Sequence, residues 1–434
     1  MISGLRILLG GAFARAALTS FFFFTSLNGF VLLPLYIQQR GGTEADIGLV
    51  QGMYSAAGIL CQPLVGLWVD RIGRRFFMVV GVALLMGASA AFLIPGPIPL
   101  LGLLRALQGV AFSAFFVANY TYIVDLVPVE RRGWALGIFG VSGLLATALA
   151  PLVAEVVIRR LGFRWSFALS TLLAGLALYL VLRIRDLPPS VMGAGPGLEA
   201  LRQGAQQLLR LHMALAFFFG LGTGTVFTFL PTFGELLGVT SLGLFYTAYA
   251  GAAMLVRVFG GQLIDTRGRR AVIVPSMFVQ VAATSILAAV GGLAGAYATV
   301  PVLPFLFLAG LMAGGAHGFL YPALGALLMD VTPDSQRASV IGIFSAMFLV
   351  GNALGAMAFG YVVHALGYPM MWSALTVVLA AGFLLSLRLR IGYAVRAPRR
   401  SLPRGRGEEA HVDLPGPPAD TASTSAGPGA KGGS

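Results

Sequence analysis

The sequence has few charged residues, one cysteine and one lysine. Only 10% of its 434 residues are charged, against roughly a quarter in soluble domains. With Cys61 as its single cysteine, the sequence allows no internal disulfide and no Cys-x-x-Cys metal or redox site. Because Lys431 is the only lysine and lies in the C-terminal tail, no G-x-x-x-x-G-K-[ST] nucleotide loop is present. These absences exclude a disulfide scaffold and an ATPase within this sequence.

Apolar stretches are what the sequence has in abundance. Hydrophobic residues make up 57% of it, and the mean hydropathy is +0.86. A membrane-spanning helix needs about 20 mostly apolar residues. Twelve runs are of that kind: 17–38, 47–69, 76–94, 99–124, 134–158, 165–183, 211–232, 242–264, 271–293, 303–329, 338–363 and 369–388. We therefore predict an all-α membrane protein with twelve transmembrane helices. The first run lacks a small-x-small cleavage site, so we expect a retained span rather than a signal peptide.

The distribution of arginine predicts the orientation of these spans. The net charge is +13. If both termini are cytoplasmic, 17 arginines before the tail lie on the cytoplasmic side, and four lie outside: Arg40, Arg159, Arg160 and Arg164. That asymmetry follows the positive-inside rule. The basic charge therefore indicates topology and attraction to lipid headgroups, not nucleic-acid binding. We expect a multi-pass protein of the inner (cytoplasmic) membrane.

The two halves of the chain repeat each other. A shift of 195 residues aligns Asp70 with Asp265, and a shift of 205 residues aligns Asp125 with Asp330. Two six-span repeats in the same orientation are typical of secondary transporters. The predicted divisions are an N-terminal half (1–182), a cytoplasmic linker (183–210), a C-terminal half (211–390) and a disordered cytoplasmic tail (391–434), rich in Arg, Pro, Gly, Ala and Ser.

A charged decapeptide occurs once in each half. GLWVDRIGRR (66–75) follows the second run, and GQLIDTRGRR (261–270) follows the eighth. Both resemble the G-x-x-x-D-R-x-G-R-[RK] signature of the major facilitator superfamily. Within that family, the sequence resembles drug and sugar efflux proton antiporters of the arabinose-efflux-permease type. The resemblance implies the major facilitator fold, with two pseudo-symmetric six-helix halves and both termini cytoplasmic. The implied gating residues are Gly66, Asp70, Arg71, Gly73, Arg74, Arg75, Gly261, Asp265, Gly268, Arg269 and Arg270.

The chemistry of this motif fits a cytoplasmic gate. Gly66 lets a neighbouring helix come close, and Gly73 permits a tight turn. The resemblance implies that Asp70 latches the halves together in the outward-facing state, against the start of span eleven. The alternative is that the motif anchors topology without gating.

A second motif in the fourth run resembles the R-x-x-x-G pattern of proton-driven members of the family. It lies in LLRALQGVAFSA (103–114) and consists of Arg105, Gln108 and Gly109. An arginine inside hydrocarbon is expensive, so it usually faces a cavity or a partner. The resemblance ties Arg105 to proton coupling. Alternatively, Arg105 lies only about 9 Å from the outer end at 1.5 Å per residue and reaches outward to water.

The glycine-rich antiporter motif of span five is only half present. Pro151 is retained, but alanines stand where the family has glycines. In span eleven, Gly342, Gly351 and Gly355 keep the spacing of the motif. We expect these four residues to pack helices, and the departure from the pattern bears on the direction of transport.

Other polar residues within the runs are candidates for a central cavity. His317 lies near the middle of span ten with Tyr321 one turn on, and is either titratable or a neutral histidine bonded to a neighbouring helix. Arg257 shares a helix face with Tyr249 at its edge, and either binds an anionic substrate or reaches inward. Asn28 in span one and Asn352 in span eleven either line the cavity or join helices.

Two carboxylates lie near outer helix ends, Glu155 and Glu235. Both are possible proton sites. The stronger expectation is that each is an exposed carboxylate on the outer rim.

Together these patterns predict a carrier that works by alternating access, most simply a proton-coupled exporter of a small amphipathic or sugar-like molecule. The alternatives are a uniporter or symporter that imports a small metabolite, and a transport-inactive receptor on the same fold. We expect no enzymatic activity, catalytic residue, cofactor or metal. The expected partners are the substrate, the proton and the lipid bilayer, with the chain acting as a monomer.

Overall fold

The computed structural model describes residues 11–127, 132–185, 211–296, 301–330 and 337–389. Within these ranges, the side chains at 67, 70, 132–139, 262, 265, 294–296, 329 and 337–342 are outside the description. The predicted tail, and the predicted linker from residue 186 onward, lie outside the described residues.

Every regular element in the described part of the chain is helical. The N-terminal half contains α1 (Gly11–Asn28), a 3₁₀ turn (Gly29–Leu32), α2 (Leu33–Gln39), α3 (Glu44–Ile72), α4 (Arg74–Ala91), α5 (Ile98–Leu126), α6 (Arg132–Leu161) and α7 (Phe163–Leu182). The C-terminal half contains α8 (Leu211–Leu236), α9 (Gly243–Phe259), α10 (Gly261–Thr266), α11 (Arg269–Ala296), α12 (Val302–Asp330) and α13 (Arg337–Ser386).

Local sequence explains several helix boundaries. Helix α3 begins with a capping box, in which the Thr43 hydroxyl accepts from the Asp46 amide and the Asp46 carboxylate accepts from the Thr43 amide. Gly162 has φ 92° and separates α6 from α7, and Gly367 has φ 79° within α13. Side chains other than glycine rarely adopt such angles, so these two positions turn the chain sharply. The Gly367 break lies between the eleventh and twelfth predicted runs.

Nine helices in the described residues are long and apolar enough to cross a membrane, by length and composition. This number is lower than the twelve predicted, for three reasons. Helix α3 contains the polar residues Gln51 and Gln62, α9 has only 17 residues, and α13 contains two of the predicted runs in one segment. The count of twelve therefore stays a prediction.

The apolar cores of the two halves merge at one end of the bundle and are separate at the other. One buried cluster contains Phe30, Phe92 and Phe167 of the N-terminal half together with Phe229 and Trp372 of the C-terminal half. We name its location the outer end, because it lies by the loops that the arginine distribution places outside. At the opposite, inner end, one cluster draws only on residues 13–184 and another only on residues 213–389. Among the described residues, the halves thus share a core only at the outer end.

Glycines bring helices into backbone contact at the crossings that support this arrangement. A Cβ at Gly351 of α13 would lie 2.1 Å from the carbonyl oxygen of Phe217 in α8, and one at Gly220 would lie 2.0 Å from that of Phe348. Between the halves, a Cβ at Gly48 of α3 would lie 2.4 Å from the Ala356 carbonyl oxygen. Small residues permit such close packing inside membranes, where helices gain little from burying apolar surface.

We expect Gly351→Ala to destabilise the protein by about 1–3 kcal/mol, because the added methyl group has no room and overpacks the α8–α13 crossing. Detergent-solubilised protein would be unfolded by heat or by sodium dodecyl sulfate. Gly87→Ala is the matched control, since no described atom lies within 4 Å of a Cβ there. Equal losses in both variants would contradict this account of the crossing.

Candidate functional site

Each copy of the charged decapeptide forms an ion pair with a helix end of its own half. In the N-terminal half, Arg74 Nε lies 2.6 Å from the Asp125 carboxylate, and only 2% of the Arg74 side chain is exposed. In the C-terminal half, Arg269 Nε lies 3.1 Å from the Asp330 carboxylate. The second pair is therefore the repeat of the first. Each pair ties the start of one helix (α4, α11) to the end of another (α5, α12).

The second arginine of each motif donates to a backbone carbonyl at another helix end. Arg75 Nη2 donates to the Leu182 carbonyl oxygen at 2.9 Å, and Arg270 Nη2 donates to the Leu387 carbonyl oxygen at 3.1 Å. Terminal carbonyls have no partner within their helix, and the negative end of the helix dipole favours a cation there. The motif arginines thus hold together the inner end of each half.

The other residues of the two decapeptides make fewer contacts with neighbouring helices in the described part of the chain. Gly73 and Gly268 have φ of 116° and 85° and make the tight turns that were predicted. No described atom lies within 4 Å of a Cβ built at Gly66 or Gly261, so the predicted close approach of a helix at Gly66 is not seen. Arg71 is exposed. The side chains of Asp70 and Asp265, and those at the start of the eleventh run, are outside the described side chains, so the latch stays a prediction.

The outer end is closed by hydrogen bonds between the halves that centre on Glu155. Its two carboxylate oxygens accept from the Leu242 and Gly243 amides at the start of α9, at 2.9 and 2.7 Å. A carboxylate at a helix N-terminus satisfies free amides and is favoured by the helix dipole. Arg159 donates to Glu155 at 3.2 Å and also to Glu235, at the end of α8, at 3.0 Å.

From the sequence we expected Glu155 to be an exposed carboxylate on the outer rim. The structure shows that this expectation was wrong, because Glu155 is buried. Only 5% of the residue is exposed. The expectation fails because it considered α6 alone, whereas the start of α9 covers this side chain. The Glu235 side chain, by contrast, is 47% exposed, which fits an outer rim.

Arg105 is buried among polar and aromatic groups of its own half. The residue is 8% exposed, donates to Gln108 Oε1 at 2.7 Å, and its guanidinium carbon lies 4.7 Å from the centroid of the Tyr54 ring. A Cβ at Gly109 would lie 2.1 Å from the Tyr54 carbonyl oxygen, so this glycine brings α5 against α3. Within the described side chains, Arg105 forms no ion pair. Its guanidinium is thus turned towards α3 and not outward to water.

Both candidate asparagines join helices. Asn28 Nδ2 donates to the Thr147 hydroxyl at 3.2 Å, which links α1 to α6. The Asn352 side-chain oxygen accepts from the Ser55 hydroxyl at 2.9 Å, which links α13 to α3 across the halves. Of the two roles considered for these asparagines, the structure shows hydrogen bonding between helices.

His317 lies inside an aromatic cluster of the C-terminal half. Its ring centroid is 5.1 Å from that of Phe219, 5.5 Å from that of Tyr249 and 6.3 Å from that of Tyr321. Its Nδ1 atom is buried and has no hydrogen-bond partner among the described residues. The predicted alternative of a histidine bonded to a neighbouring helix through that nitrogen is therefore not observed. We name Phe219, Tyr249, His317, Tyr321 and Phe348 the aromatic wall, since Phe348 contacts Phe219 and Tyr321.

Arg257 faces the boundary between the halves. It is half-buried, and a Cβ at Gly140 of α6 would lie 2.8 Å from its Nη1 atom. The opposite side of α9 carries Leu255 and Val258, which are exposed, as expected for lipid-facing residues. The guanidinium therefore points into the protein rather than to lipid.

The predicted helix-packing residues lie in α6 and α13. Pro151 is within α6. Gly351 and Gly355 both pack against backbone carbonyls of α8, where added Cβ atoms would lie 2.1 and 2.5 Å from oxygen. Gly342 is in the helical backbone of α13, but its surroundings are outside the description.

Sequence reasoning missed three charged residues with defined contacts. Asp125 and Asp330 were aligned by the internal repeat but were given no role. Their pairing with arginines of the duplicated motif could have been proposed, because both members of each pair recur. The role of Glu155 depends on a contact between halves, for which the sequence carries no comparable signal.

We expect Glu155→Gln to open the outer end more often, because an amide cannot accept from both α9 amides and carries no charge for Arg159. Hydrogen bonds to a charged group contribute about 1.5–3 kcal/mol, which corresponds to a shift of roughly tenfold or more in the open fraction. In a Cys61→Ala background, Leu230→Cys would report opening through its rate of labelling by an impermeant maleimide, since Leu230 is 0% exposed in the shared core.

Glu235→Gln is the control for that experiment. Exposed ion pairs contribute little, so this variant should leave the labelling rate within about twofold of the parent. An unchanged rate in Glu155→Gln would refute the closing role of Glu155.

We expect Asp125→Asn to lower the free energy of unfolding by about 1.5–3 kcal/mol, because it removes a charged acceptor from a buried arginine. Thermal unfolding of the purified protein would measure the loss. Arg164→Gln, a change of one exposed charge at the outer end, should alter stability by less than about 0.5 kcal/mol. Indistinguishable curves for the two variants would contradict the importance of this ion pair.

Comparison with known proteins agrees with this geometry. The family profile of the Major Facilitator Superfamily matches residues 16–300 and 214–424. The staphylopine export protein of Staphylococcus aureus is 24% identical over 384 residues, covering 83% of this chain and 91% of that protein. The multi-drug resistance efflux pump PmrA of Streptococcus pneumoniae is 25% identical over 370 residues, covering 82% and 90%.

Solved structures of similar fold include the nucleoside transporter NupG. A mutant of that protein matches with a TM-score of 0.73 at 15% identity, covering 87% of this chain and 99% of that one. The peptide transporter POT matches with a TM-score of 0.72 at 15% identity, covering 86% and 93%. The duplicated motif, the repeated ion pairs and the family match agree: this chain belongs to the major facilitator superfamily of multi-pass membrane transporters.

Proposed function

We propose that this protein is a proton-coupled exporter of a small amphipathic molecule, and that it works by alternating access between its two halves. The proposal rests on a difference between the two ends of the helix bundle. The halves share one apolar core at the outer end and have separate cores at the inner end. Such a bundle can open and close by rocking one half against the other. In this arrangement the cavity opens towards the inner end.

The proposal includes twelve spans, with both termini in the cytoplasm of a cell whose inner membrane holds the protein. Helices α3 and α9 each connect an outer loop to an inner loop. The non-helical backbone at Gly367 divides α13 into two helical segments, and we infer that these cross the membrane in opposite directions. Counting α3, α9 and both segments of α13 as spans makes the nine candidate spans twelve. The proposed halves are 1–182 and 211–390, joined by a linker at 183–210 and followed by a cytoplasmic tail at 391–434, and one chain contains the whole pathway as a monomer.

Export is the direction that the relatives favour. Two relatives that align over most of their length are named an export protein and an efflux pump. The small residues Ala146, Ala150 and Ala154 lie buried in α6 where antiporters of the family carry glycines. They still allow α6 to approach its neighbours, which supports a common mechanism.

Proton coupling is assigned to Arg105 and its neighbours. A buried guanidinium without a described carboxylate partner, stacked on Tyr54 and bonded to Gln108, is an expensive arrangement in a membrane. We infer that the Arg105 guanidinium takes part in coupling proton movement to transport.

Import is the second candidate, favoured by the alanines that replace glycines in the half-present antiporter motif. A uniporter or symporter would raise the cellular level of its substrate, whereas the exporter lowers it. A transport-inactive receptor would bind ligand without flux in reconstituted vesicles.

We expect cells that express this protein and lack their main efflux systems to accumulate less of at least one labelled compound than control cells. The compounds would be sugars, amino acids, siderophores and antibiotics, each tested with and without a protonophore. The protonophore should abolish the difference, because the proton gradient drives export. Higher accumulation of a compound would make the protein an importer, and a difference that survives the protonophore would refute proton coupling.

Arg105→Ala should lose this export, by roughly tenfold or more if a few kcal/mol of coupling is removed. Arg164→Gln, which removes an exposed arginine, is the matched control and should export normally. Equal amounts of each variant in the membrane must be verified by immunoblot. If Arg105→Ala still shows protonophore-sensitive export, Arg105 has no role in proton coupling and only packs helices together.

A further inference from the structure

Charge inside the apolar runs is almost entirely positive. Glu155 is the only acidic residue within the twelve runs, and Arg105 and Arg257 are the arginines that lie more than a turn from the run ends. The Glu155 carboxylate is occupied at the outer end, where both oxygens accept backbone amides and Arg159 donates to it. Within the twelve apolar runs, the described part of the bundle therefore contains these two internal guanidinium groups and no carboxylate other than that of Glu155.

Arg257 is the arginine placed to meet a ligand. It lies at the boundary between the halves, beside Gly140, whereas Arg105 is covered within the N-terminal half. Its Nε atom is buried and has no hydrogen-bond acceptor among the described residues, and no described carboxylate forms an ion pair with it. A half-buried guanidinium whose Nε has no acceptor is costly inside a membrane, so this position favours a bound anion.

The aromatic wall includes a residue of the helix that carries Arg257. Tyr249 precedes Arg257 by about two turns of α9. A small cavity within the C-terminal half is lined by two members of that wall, Phe219 and Tyr249, together with Thr223, Phe227 and Gln280 among others, and Arg257 is not one of its lining residues. Aromatic rings supply apolar contact for a flat ligand, and the threonine and glutamine supply isolated polar contacts. Ligand sites commonly combine a mostly apolar lining with a few placed polar groups.

We propose that the substrate is a small organic anion, with a carboxylate or similar acidic group bound by Arg257 and an apolar, aromatic-sized body against the aromatic wall. This inference rests on the proposed transport function and names its substrate class. A guanidinium binds a carboxylate through two parallel N–H donors, which fixes both charge and orientation. A cationic substrate would instead meet Arg257 in a site of low polarity, where repulsion between like charges is strong.

Binding to purified protein tests the substrate class without requiring flux or proton coupling. The full chain in lipid nanodiscs would be titrated calorimetrically with 2-naphthoate, 2-naphthamide and 2-naphthylmethylamine, which share a ring system and differ in charge. We expect naphthoate to bind at least about tenfold more tightly than the amide, a difference of about 1.4 kcal/mol, and the amine to bind most weakly.

Three variants test whether Arg257 is the source of the preference for the carboxylate. Arg257→Gln should reduce the ratio of the naphthoate and naphthamide dissociation constants to within about twofold, and Arg257→Lys should retain part of it because a point charge remains. Arg160→Gln removes an exposed arginine of the outer end and should leave the ratio unchanged. Thermal unfolding curves would establish that each variant is folded.

Several results would overturn the proposal: no binding of naphthoate, tighter binding of the amine, or a carboxylate preference that persists in Arg257→Gln. Failure of the transport proposal is distinguishable, because it would show as absent or protonophore-insensitive flux while the carboxylate preference remained. Loss of the preference with intact flux would overturn the substrate class alone.

Discussion

Burying charge in hydrocarbon costs several kcal/mol, and this cost governs where the charged residues of this chain are found. In both copies of the decapeptide, the arginines bind helix ends of their own half, as in the Arg74–Asp125 and Arg269–Asp330 pairs. These pairs make each half a unit that moves without losing its ion pairs. The charge contacts between the halves at the outer end centre on Glu155, which exchanges water for two backbone amides and an arginine.

In the proposed alternating-access cycle, the contacts between the halves at the outer end are the ones that must break. Contacts within a half survive any rocking motion, whereas the Glu155 contacts to the start of α9 exist only while the outer end is closed. Glycine crossings such as Gly48 on α3 against α13 allow the halves to lie close together without interlocking large side chains. The shared apolar core at the outer end stabilises the closed state by burying apolar surface between the halves. When the outer end opens, this free energy is lost, and new contacts at the inner end must replace it.

Periodicity and duplication are sufficient to predict much of this from the sequence. All twelve predicted runs lie on helices, and the offsets that aligned the motifs, 195 and 205, also relate the contacts of Arg75 with Leu182 to those of Arg270 with Leu387. What could not be predicted depends on contacts between helices distant in sequence. Glu155 looked like a rim residue because its cover comes from α9. For His317 a hydrogen bond to a neighbouring helix was one of two alternatives, and its Nδ1 has no such partner among the described residues. Helical spacing defines the face of a helix but not its neighbour.

The most direct test of the central claim is a pair of distances measured by electron paramagnetic resonance in nanodiscs. Spin labels at Arg71 and Arg267 would span the inner end, and labels at Leu161 and Leu236 would span the outer end; all four residues are exposed. If the halves alternate, acidification or addition of a transported compound shortens the inner distance in the same population in which the outer distance lengthens. Inner and outer distances that change in the same direction, or a single fixed distribution at both ends under every condition, would contradict alternating access.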